Sequence, residues 1–196
     1  MILKIFNKIK FLQKLSNLNF LYYLFLTKIN NIDKWHAYNN LKNRPYKKEI
    51  IDFCNKKKFN IVLDYGCGFG DIIKSIDAKK KFAYDKDPKI IKISRTLFNS
   101  NNIIFVSSKK LSDLKKKEID CILFINFLHD YNEQTVKKII QSFPLAKFIL
   151  LDGINNNVKG FNFFHNYVFL QKKYNLEKKK FKYEPDRSFF IFKRKN

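Results

Sequence analysis

Short apolar runs alternate with amphipathic segments from residue 60 onward. The apolar runs predict strands at residues 61–63, 81–84, 103–106, 119–125, 148–151 and 188–193. Between them, apolar side chains recur every three or four positions, and this spacing predicts helices at residues 71–76, 88–98 and 133–142. Strands that alternate with helices are typical of a mostly parallel sheet with helices on both faces.

The two ends of the chain depart from this alternation. Residues 1–30 carry apolar side chains at helical spacing with lysines between them, which predicts an amphipathic helix. Pro45 precedes a second predicted helix over Tyr46–Lys57. At the other end, a stretch rich in Lys and Tyr (168–182) is followed by a turn and an apolar run, which predicts an antiparallel hairpin at a sheet edge.

These patterns predict an α/β fold. We expect a Rossmann-like, doubly wound and mostly parallel sheet with an antiparallel C-terminal edge strand in residues 59–196. A helical N-terminal extension in residues 1–58 precedes it. The first helix either covers the core of the domain or lies on an anionic membrane surface.

The cysteines and the hydropathy of the chain indicate where in the cell the protein is located. Cys54, Cys67 and Cys121 form no CxxC pair, which favours reduced thiols in a cytoplasmic protein and argues against a zinc site. The uncharged run at residues 15–27 is shorter than the ~20 apolar residues of a bilayer span, and it lacks a small-residue cleavage site. We expect a cytoplasmic protein, with a peripheral position at the inner face of the membrane as the alternative.

The formal net charge is +23, which invites a nucleic-acid or anionic-membrane partner. However, Lys, Asn, Ile and Phe are all abundant, as an AT-rich coding sequence would give, and the lysines are spread along the whole chain. The charge by itself therefore indicates only non-specific attraction to anions.

Three of the five glycines, Gly66, Gly68 and Gly70, lie within five residues directly after the strand predicted at 61–63. Such a cluster marks a turn with positive φ or a close approach of the backbone to a ligand. Strand, glycine turn and helix together present a nucleotide-like ligand to a helix N-terminus. The spacing is not the dinucleotide pattern G-x-G-x-x-G, because its third glycine would fall on Asp71.

A carboxylate follows the next predicted strand, at Asp85 in Tyr84-Asp85-Lys86-Asp87-Pro88. A carboxylate in that position can accept two hydrogen bonds from the vicinal hydroxyls of a ribose. Such a bidentate contact would not suit a phosphate or sulfate.

The stretch Val62-Leu63-Asp64-Tyr65-Gly66-Cys67-Gly68-Phe69-Gly70, followed by Asp85, resembles the first motifs of the class I S-adenosylmethionine-dependent methyltransferases. The resemblance covers about half the chain, roughly residues 60–152. It implies S-adenosylmethionine as the cofactor, with Asp85 on the ribose and with Asp64 orienting the turn or receiving the ammonium through water. The implied cofactor-binding residues are Asp64, Gly66, Cys67, Gly68, Gly70, Asp85, Lys86, Ser108, Asn126 and Phe127.

Two features depart from the family pattern. The acid that often faces the adenine amino group is missing, and Ser107 or Ser108 could serve only as a weaker substitute for it. Lys86 stands where the family often has an apolar residue against the adenine. Asn126 and Phe127, in a stretch that resembles the fourth strand and its following loop, are implied to line the methyl-donor end.

The catalytic residues remain unassigned. Methyl transfer from an activated donor needs chiefly correct placement of the nucleophile, so a base is optional. His129 is the first candidate for a base, with Asp130 and Asp152 behind it. The histidines lack ligand spacing, so no metal is predicted. Aromatic and polar side chains that form either an acceptor wall or ordinary packing are Trp35, His36, Tyr38, Tyr46, His165 and Tyr167.

Three functions remain open from the sequence. The leading one is a methyltransferase that acts on a small-molecule or lipid- or saccharide-linked acceptor. The second is an RNA methyltransferase, favoured by charge but lacking the Asn/Asp-Pro-Pro-aromatic loop of amino-group nucleobase methylases. The third is a non-catalytic module that binds S-adenosylmethionine.

Overall fold

The computed structural model describes residues 18–98, 102–155, 158 and 161–195. Most of the amphipathic pattern predicted for residues 1–30, from Ile2 to Leu15, lies outside the described residues. The chain forms two compact units, one ending at Arg44 and the other beginning at Pro45. No helix in the described part of the chain is both long and apolar enough to cross a membrane.

The first unit contains helices α1 (Leu18–Ile29) and α2 (Trp35–Tyr38). The ring of Phe20 on α1 packs edge-on against Tyr38 on α2, with centroids 5.0 Å apart. The guanidinium of Arg44 lies over the Trp35 ring, 5.0 Å from its centroid. Aromatic contacts therefore join the two helices and the end of this unit.

The second unit is built around a seven-stranded sheet. Its strands are β1 (Ile61–Tyr65), β2 (Lys80–Tyr84), β3 (Ile103–Phe105), β4 (Ile119–Phe124), β5 (Ala146–Ile154), β6 (Tyr174–Lys180) and β7 (Arg187–Arg194). Its α-helices are α3 (Tyr46–Lys57), α4 (Asp71–Ser75), α5 (Pro88–Phe98), α6 (Ser108–Leu114) and α7 (Glu133–Gln141). Single 3₁₀ turns occupy Leu128–Asp130 and Val168–Lys172.

The strand order is β3-β2-β1-β4-β5-β7-β6. Strands β1 to β5 pair in parallel, β7 pairs antiparallel with β5, and β6 pairs antiparallel with β7. The predicted fold class is confirmed, including the antiparallel C-terminal strand. That strand, β7, lies one place inside the edge, and β6 is outermost.

One face of the sheet buries a continuous apolar core against α6, α7 and the second 3₁₀ turn. Leu63, Ile122 and Leu151 from the central strands meet Val136 and Ile140 of α7 there. The parallel strands are apolar nearly throughout because both of their faces are covered. Their carboxyl ends, and with them the loops that carry chemistry, consequently collect at one edge of the sheet.

Helix α6 has no counterpart among the predicted elements. Its sequence offers only Leu111 and Leu114 as buried apolar positions, too few for a clear helical period. The side chain of Ser107 caps it by accepting a hydrogen bond from the Lys110 amide at 3.4 Å. The structure also groups α3 with the sheet, since Ile50, Ile51 and Cys54 are buried.

Candidate active site

The glycine turn closes the carboxyl end of β1 against the end of β2. The amides of Gly66 and Cys67 both donate to the Tyr84 carbonyl oxygen, at 2.8 and 3.0 Å. Gly66, Gly68 and Gly70 all have positive φ, of 82°, 53° and 81°. L-residues adopt this backbone region at a cost, so the turn requires glycine for its conformation.

Asp85 follows β2 and faces this turn. Its Oδ2 accepts a hydrogen bond from the Gly68 amide at 3.1 Å, and its Oδ1 accepts one from the Asp87 amide at 3.0 Å. The glycine turn and the carboxylate, predicted as two separate landmarks, are therefore in direct contact. Because each carboxylate oxygen can accept two hydrogen bonds, each retains capacity for one further donor.

A cavity of about 670 Å³ opens beside Asp85. Ser107 and Ser108 lie at the end of β3 on its wall, and Lys86 lies at its rim. One side of α5 supplies the rest of the wall at helical spacing. These α5 residues are Pro88, Ile91, Lys92, Arg95 and Thr96.

The acid of the glycine motif lies beneath the turn. Asp64 is buried, and burial raises the pKa of its carboxyl to about 7. The buried ammonium of Lys47 opposes this rise in pKa, whereas the Asp85 and Asp71 carboxylates add to it. A cation brought close to these acids would favour the ionised form of Asp64.

Cys67 lies in the same turn. Burial, together with the nearby Asp64 and Asp85, raises the pKa of its thiol well above the ordinary value. The side chain is therefore a protonated thiol at neutral pH and a poor nucleophile. Its amide joins the turn to β2. Its role in cofactor binding stays a prediction.

The loop after β4 brings Asn126 and Phe127 to the glycine turn. Asn126 has a φ of 62°, a conformation that Asn tolerates better than most residues, and its amide donates to Asp152 Oδ1 at 2.7 Å. The Phe127 ring lies against Gly66, where a Cβ would approach it to 2.9 Å. Gly66 is thus required both by its φ and by this ring.

A polar contact spans the opening between β2 and the loop after β4. The Lys86 ammonium donates to the Tyr131 hydroxyl at 2.9 Å and lies 5.1 Å from the centre of the same ring. This hydrogen bond raises the pKa of Lys86. Lys86, which stands where the family often has an apolar residue, is therefore held by a contact with Tyr131.

A buried ion pair lies at the carboxyl ends of β4 and β5, on the other side of the site from the glycine turn. The Arg187 guanidinium, at the start of β7, donates to the Asp152 carboxylate on β5, and both side chains are buried. Arg187 Nε also lies 2.9 Å from Glu184 Oε2, and its guanidinium lies over the rings of Tyr46 and Phe161. Asp152 thus links the loop after β4 to β7 through its two oxygens.

Two histidines flank this pair. Burial lowers the pKa of His129, Arg187 and His165 lower it further, and Asp152 and Asp130 oppose the shift. His129 is therefore neutral at pH 7, the form in which an imidazole can accept a proton. His165 Nε2 lies 3.2 Å from the Leu128 carbonyl oxygen, to which it donates.

The other predicted acceptor-wall residues divide between the two units. Trp35, His36 and Tyr38 belong to α2 in the first unit. Tyr46 is fully buried against Phe181, and Tyr167 is buried with its hydroxyl donating to the Asp152 carbonyl at 3.0 Å. Packing therefore accounts for both tyrosines in the second unit.

Two arginines at the site, Arg95 and Arg187, were not among the residues predicted from the sequence. Arg95 lies on the cavity wall and donates to the Phe105 carbonyl oxygen at 3.2 Å. The helical spacing of Pro88, Ile91 and Arg95 was a usable signal for it. Arg187 lies in a predicted turn beside Pro185, and no local pattern marks it as buried.

Comparison with known proteins shows the fold. No protein-family model matches the sequence, and no curated protein matches it. The solved structure of the N-methyltransferase NodS from Bradyrhizobium japonicum WM9, in complex with S-adenosyl-L-homocysteine, is similar at a TM-score of 0.68 and 14% identity. The match covers 91% of this chain and 100% of NodS.

Two further solved structures of methyltransferases are also similar in fold to this chain. A putative type 11 methyltransferase from Sulfolobus solfataricus matches at a TM-score of 0.61 and 22% identity, covering 78% of this chain and 93% of the other. The small RNA methyltransferase HEN1 matches at a TM-score of 0.60 and 13% identity, covering 78% of this chain and 25% of HEN1. The chain has the fold of the class I S-adenosylmethionine-dependent methyltransferases.

Proposed function

We propose that this protein is an S-adenosylmethionine-dependent methyltransferase that acts on a small-molecule or lipid- or saccharide-linked acceptor. The observation that carries the proposal is the contact of Asp85 with the glycine turn at the mouth of the 670 Å³ cavity. The three free cysteines suit a reducing compartment, and we place the protein in the cytoplasm.

The cavity fits the adenosine half of this cofactor. The two Asp85 oxygens each retain a lone pair for one ribose hydroxyl. Ile91 and Val106 provide apolar walls for a flat base, and Ser107 and Ser108 provide hydroxyls for its polar edge. Lys86 would lie at the rim of this pocket.

The charges beneath the glycine turn fit the other half. S-adenosylmethionine carries a sulfonium and an ammonium, and Asp64, Asp71 and Asp85 offset part of that positive charge. When bound, it supplies a methyl group already activated for displacement. We assign its amino-acid end to the backbone of Gly66, Gly68 and Asn126, all three of which have positive φ.

The remaining task of the chain is to position the acceptor. Asp152 fixes the loop that carries Asn126 and Phe127, and Arg187 fixes Asp152 in turn. The neutral His129 on the same loop is our candidate for the group that takes a proton from an acceptor O–H or N–H. A partly buried neutral imidazole is suited to that role at pH 7.

Calorimetric titration with S-adenosyl-L-homocysteine tests the proposal. Asp85→Ala should weaken binding about 100-fold or more, because two hydrogen bonds to a charged group are lost. Asp87→Ser is the matched control: Asp87 lies two residues away and accepts the Lys89 amide at 2.8 Å, a role that Ser can keep. If the wild-type chain binds neither this ligand nor S-adenosylmethionine at millimolar concentration, the proposal is wrong.

RNA is the second candidate acceptor, because the net charge is +23 and the chain is similar in fold to a small RNA methyltransferase. A salt titration of RNA binding separates the two candidates. Binding through phosphates alone falls steeply with log salt whatever the RNA sequence, so an acceptor RNA should keep a preference over unrelated RNA at ~0.2 M salt. Loss of that preference would leave the charge as non-specific attraction.

A further inference from the structure

A second cavity, of about 530 Å³, opens on one face of the sheet at β5, β7 and β6. In the described part of the chain between β5 and β6, the only regular element is the 3₁₀ turn at Val168–Lys172. Helices α6 and α7 cover the same face farther along the sheet. Among the described residues, no helix covers this face beside Gly153 and Ser188, which pair across β5 and β7.

The lining of this cavity favours an anion that has an apolar body. Lys178, Asn166 and the Ser188 hydroxyl supply donors, and none of the described lining residues is acidic. Asn166 Oδ1 accepts the Val168 amide at 3.2 Å, so its amide group remains as a donor. Apolar walls come from Phe164, Leu176 and Phe190.

Hydrogen bonds connect the lining of this cavity to the turn after β4 in the candidate active site. His165 lines the cavity and donates to the Leu128 carbonyl in the turn after β4. Two residues earlier, the Phe163 amide donates to the His129 carbonyl at 3.1 Å. The segment from Phe163 to His165 therefore joins the lining of the cavity to the turn that carries His129.

We propose that this cavity binds the methyl acceptor, and that the acceptor is a small amphipathic anion, with its carboxylate or phosphate near Lys178 and its apolar body against Phe190. The inference rests on the proposed methyltransferase function and narrows its acceptor class.

Fluorescence titration with 8-anilinonaphthalene-1-sulfonate, an aromatic anion, tests the site. Lys178→Glu should weaken binding about fivefold or more, as expected for an ion pair open to solvent. Lys179→Glu, the next residue of β6, makes the same charge change on the opposite face and should stay within about twofold. Equal weakening by the two variants would overturn the proposal, because it would reflect overall charge alone.

Two further measurements test whether the probe binds in this cavity and whether the cavity recognises its negative charge. Leu176→Trp fills the cavity from a half-buried strand position and should weaken probe binding about tenfold, with the thermal midpoint confirming a folded protein. Octanoate should displace the probe from the wild type at lower concentration than 1-octanol, its uncharged counterpart of equal length. Unchanged binding in Leu176→Trp, or displacement by both at equal concentration, would contradict the assignment.

A transfer assay connects the cavity to the reaction and separates the two proposals. With labelled S-adenosylmethionine and the small-molecule fraction of a cell extract, Leu176→Trp should lose tenfold or more of the product, whereas Lys179→Glu should keep it. Both variants should bind S-adenosyl-L-homocysteine within about twofold of the wild type. Cofactor binding with normal transfer by Leu176→Trp would overturn only the acceptor site, whereas absent cofactor binding in the wild type would overturn the methyltransferase itself.

Discussion

The carboxyl edge of the sheet is held together in two different ways. At the β1–β2 side, backbone amides of the glycine turn bond to the Tyr84 carbonyl and to Asp85. At the β4–β5–β7 side, a buried ion pair of Asp152 and Arg187 holds the loops. The first side depends on backbone conformation, and the second depends on two charges that must remain paired.

This difference predicts different responses to mutation. A backbone turn tolerates side-chain changes until a glycine is replaced or the carboxylate is lost. A buried ion pair fails when either partner is removed, because the remaining charge has no compensation.

Removal of Arg187 should have the largest effect on stability. Arg187→Met leaves the buried Asp152 carboxylate without its partner, and we expect the free energy of unfolding to fall by about 3–5 kcal/mol. Urea denaturation followed by circular dichroism measures the change. Arg194→Met is the control on the same strand, since its pair with Glu118 is partly exposed and should contribute no more than about 1 kcal/mol.

A double variant sharpens this result. Asp152→Asn keeps an oxygen for the Asn126 amide while it removes the charge, so Asp152→Asn with Arg187→Met should be more stable than Arg187→Met alone. If the two single changes instead add without coupling, the ion pair does not hold this side of the edge.

The buried acid under the glycine turn should give the protein a pH dependence of the opposite sense to an ordinary ion-paired carboxylate. The pKa of Asp64 is about 7 in the folded chain against 3.8 for a free side chain. Between these values the folded state holds a proton that the unfolded state has lost. The contribution of Asp64 to stability should therefore fall as pH rises from about 4 to about 7 and level off above it.

Asp64→Asn isolates this contribution. The difference in unfolding free energy between wild type and Asp64→Asn should decline by up to about 1.4 kcal/mol per pH unit across that interval. Urea denaturation at a series of pH values measures it. A difference that stays constant from pH 4 to 8 would show that Asp64 does not titrate there.

Gly66 lies on the β1–β2 side and Gly153 on the β4–β5–β7 side. Substitution of each glycine distinguishes the cost of backbone strain from the cost of steric crowding. A Cβ on Gly153 would lie 2.4 Å from the Phe190 ring, and a Cβ on Gly66 would lie 2.9 Å from the Phe127 ring. Only Gly66 also has a positive φ, of 82°. Gly153→Ala and Gly66→Ala should each destabilise by about 1–3 kcal/mol in thermal or urea unfolding.

Relief of the crowding should distinguish them. Phe190→Leu should recover most of the loss in Gly153→Ala, whereas Phe127→Leu should recover only part of the loss in Gly66→Ala, because the strained backbone remains. Full recovery at Gly66 would mean that conformation does not constrain the turn.

The same contrast explains what the sequence could predict. The glycine turn and Asp85 belong to consecutive strands, and their types and spacing carry the geometry that brings them together. The order of apolar runs likewise predicted the parallel sheet and the antiparallel β7. Local pattern suffices wherever neighbouring elements meet.

The arrangement of the β4–β5–β7 side could not be predicted from local sequence patterns. Asp152 and Arg187 are 35 residues apart, and each has the appearance of an ordinary loop charge in the sequence. Their burial follows from the antiparallel pairing of β5 with β7, which is a property of the whole sheet. Helix α6 was missed for a related reason, since a seven-residue helix with two buried leucines has no visible period.

The smallest effect concerns the contact between the two sides. Tyr131→Phe removes only the hydroxyl that accepts from the exposed Lys86 at 2.9 Å. A single exposed hydrogen bond contributes at most about 1 kcal/mol, so the unfolding free energy should change by less than that. Because the ring remains beside Phe127, affinity for S-adenosyl-L-homocysteine in calorimetry should stay within about threefold. A tenfold loss of affinity with unchanged stability would show that the Lys86–Tyr131 bond closes over the ligand, and the two sides would then act as one unit.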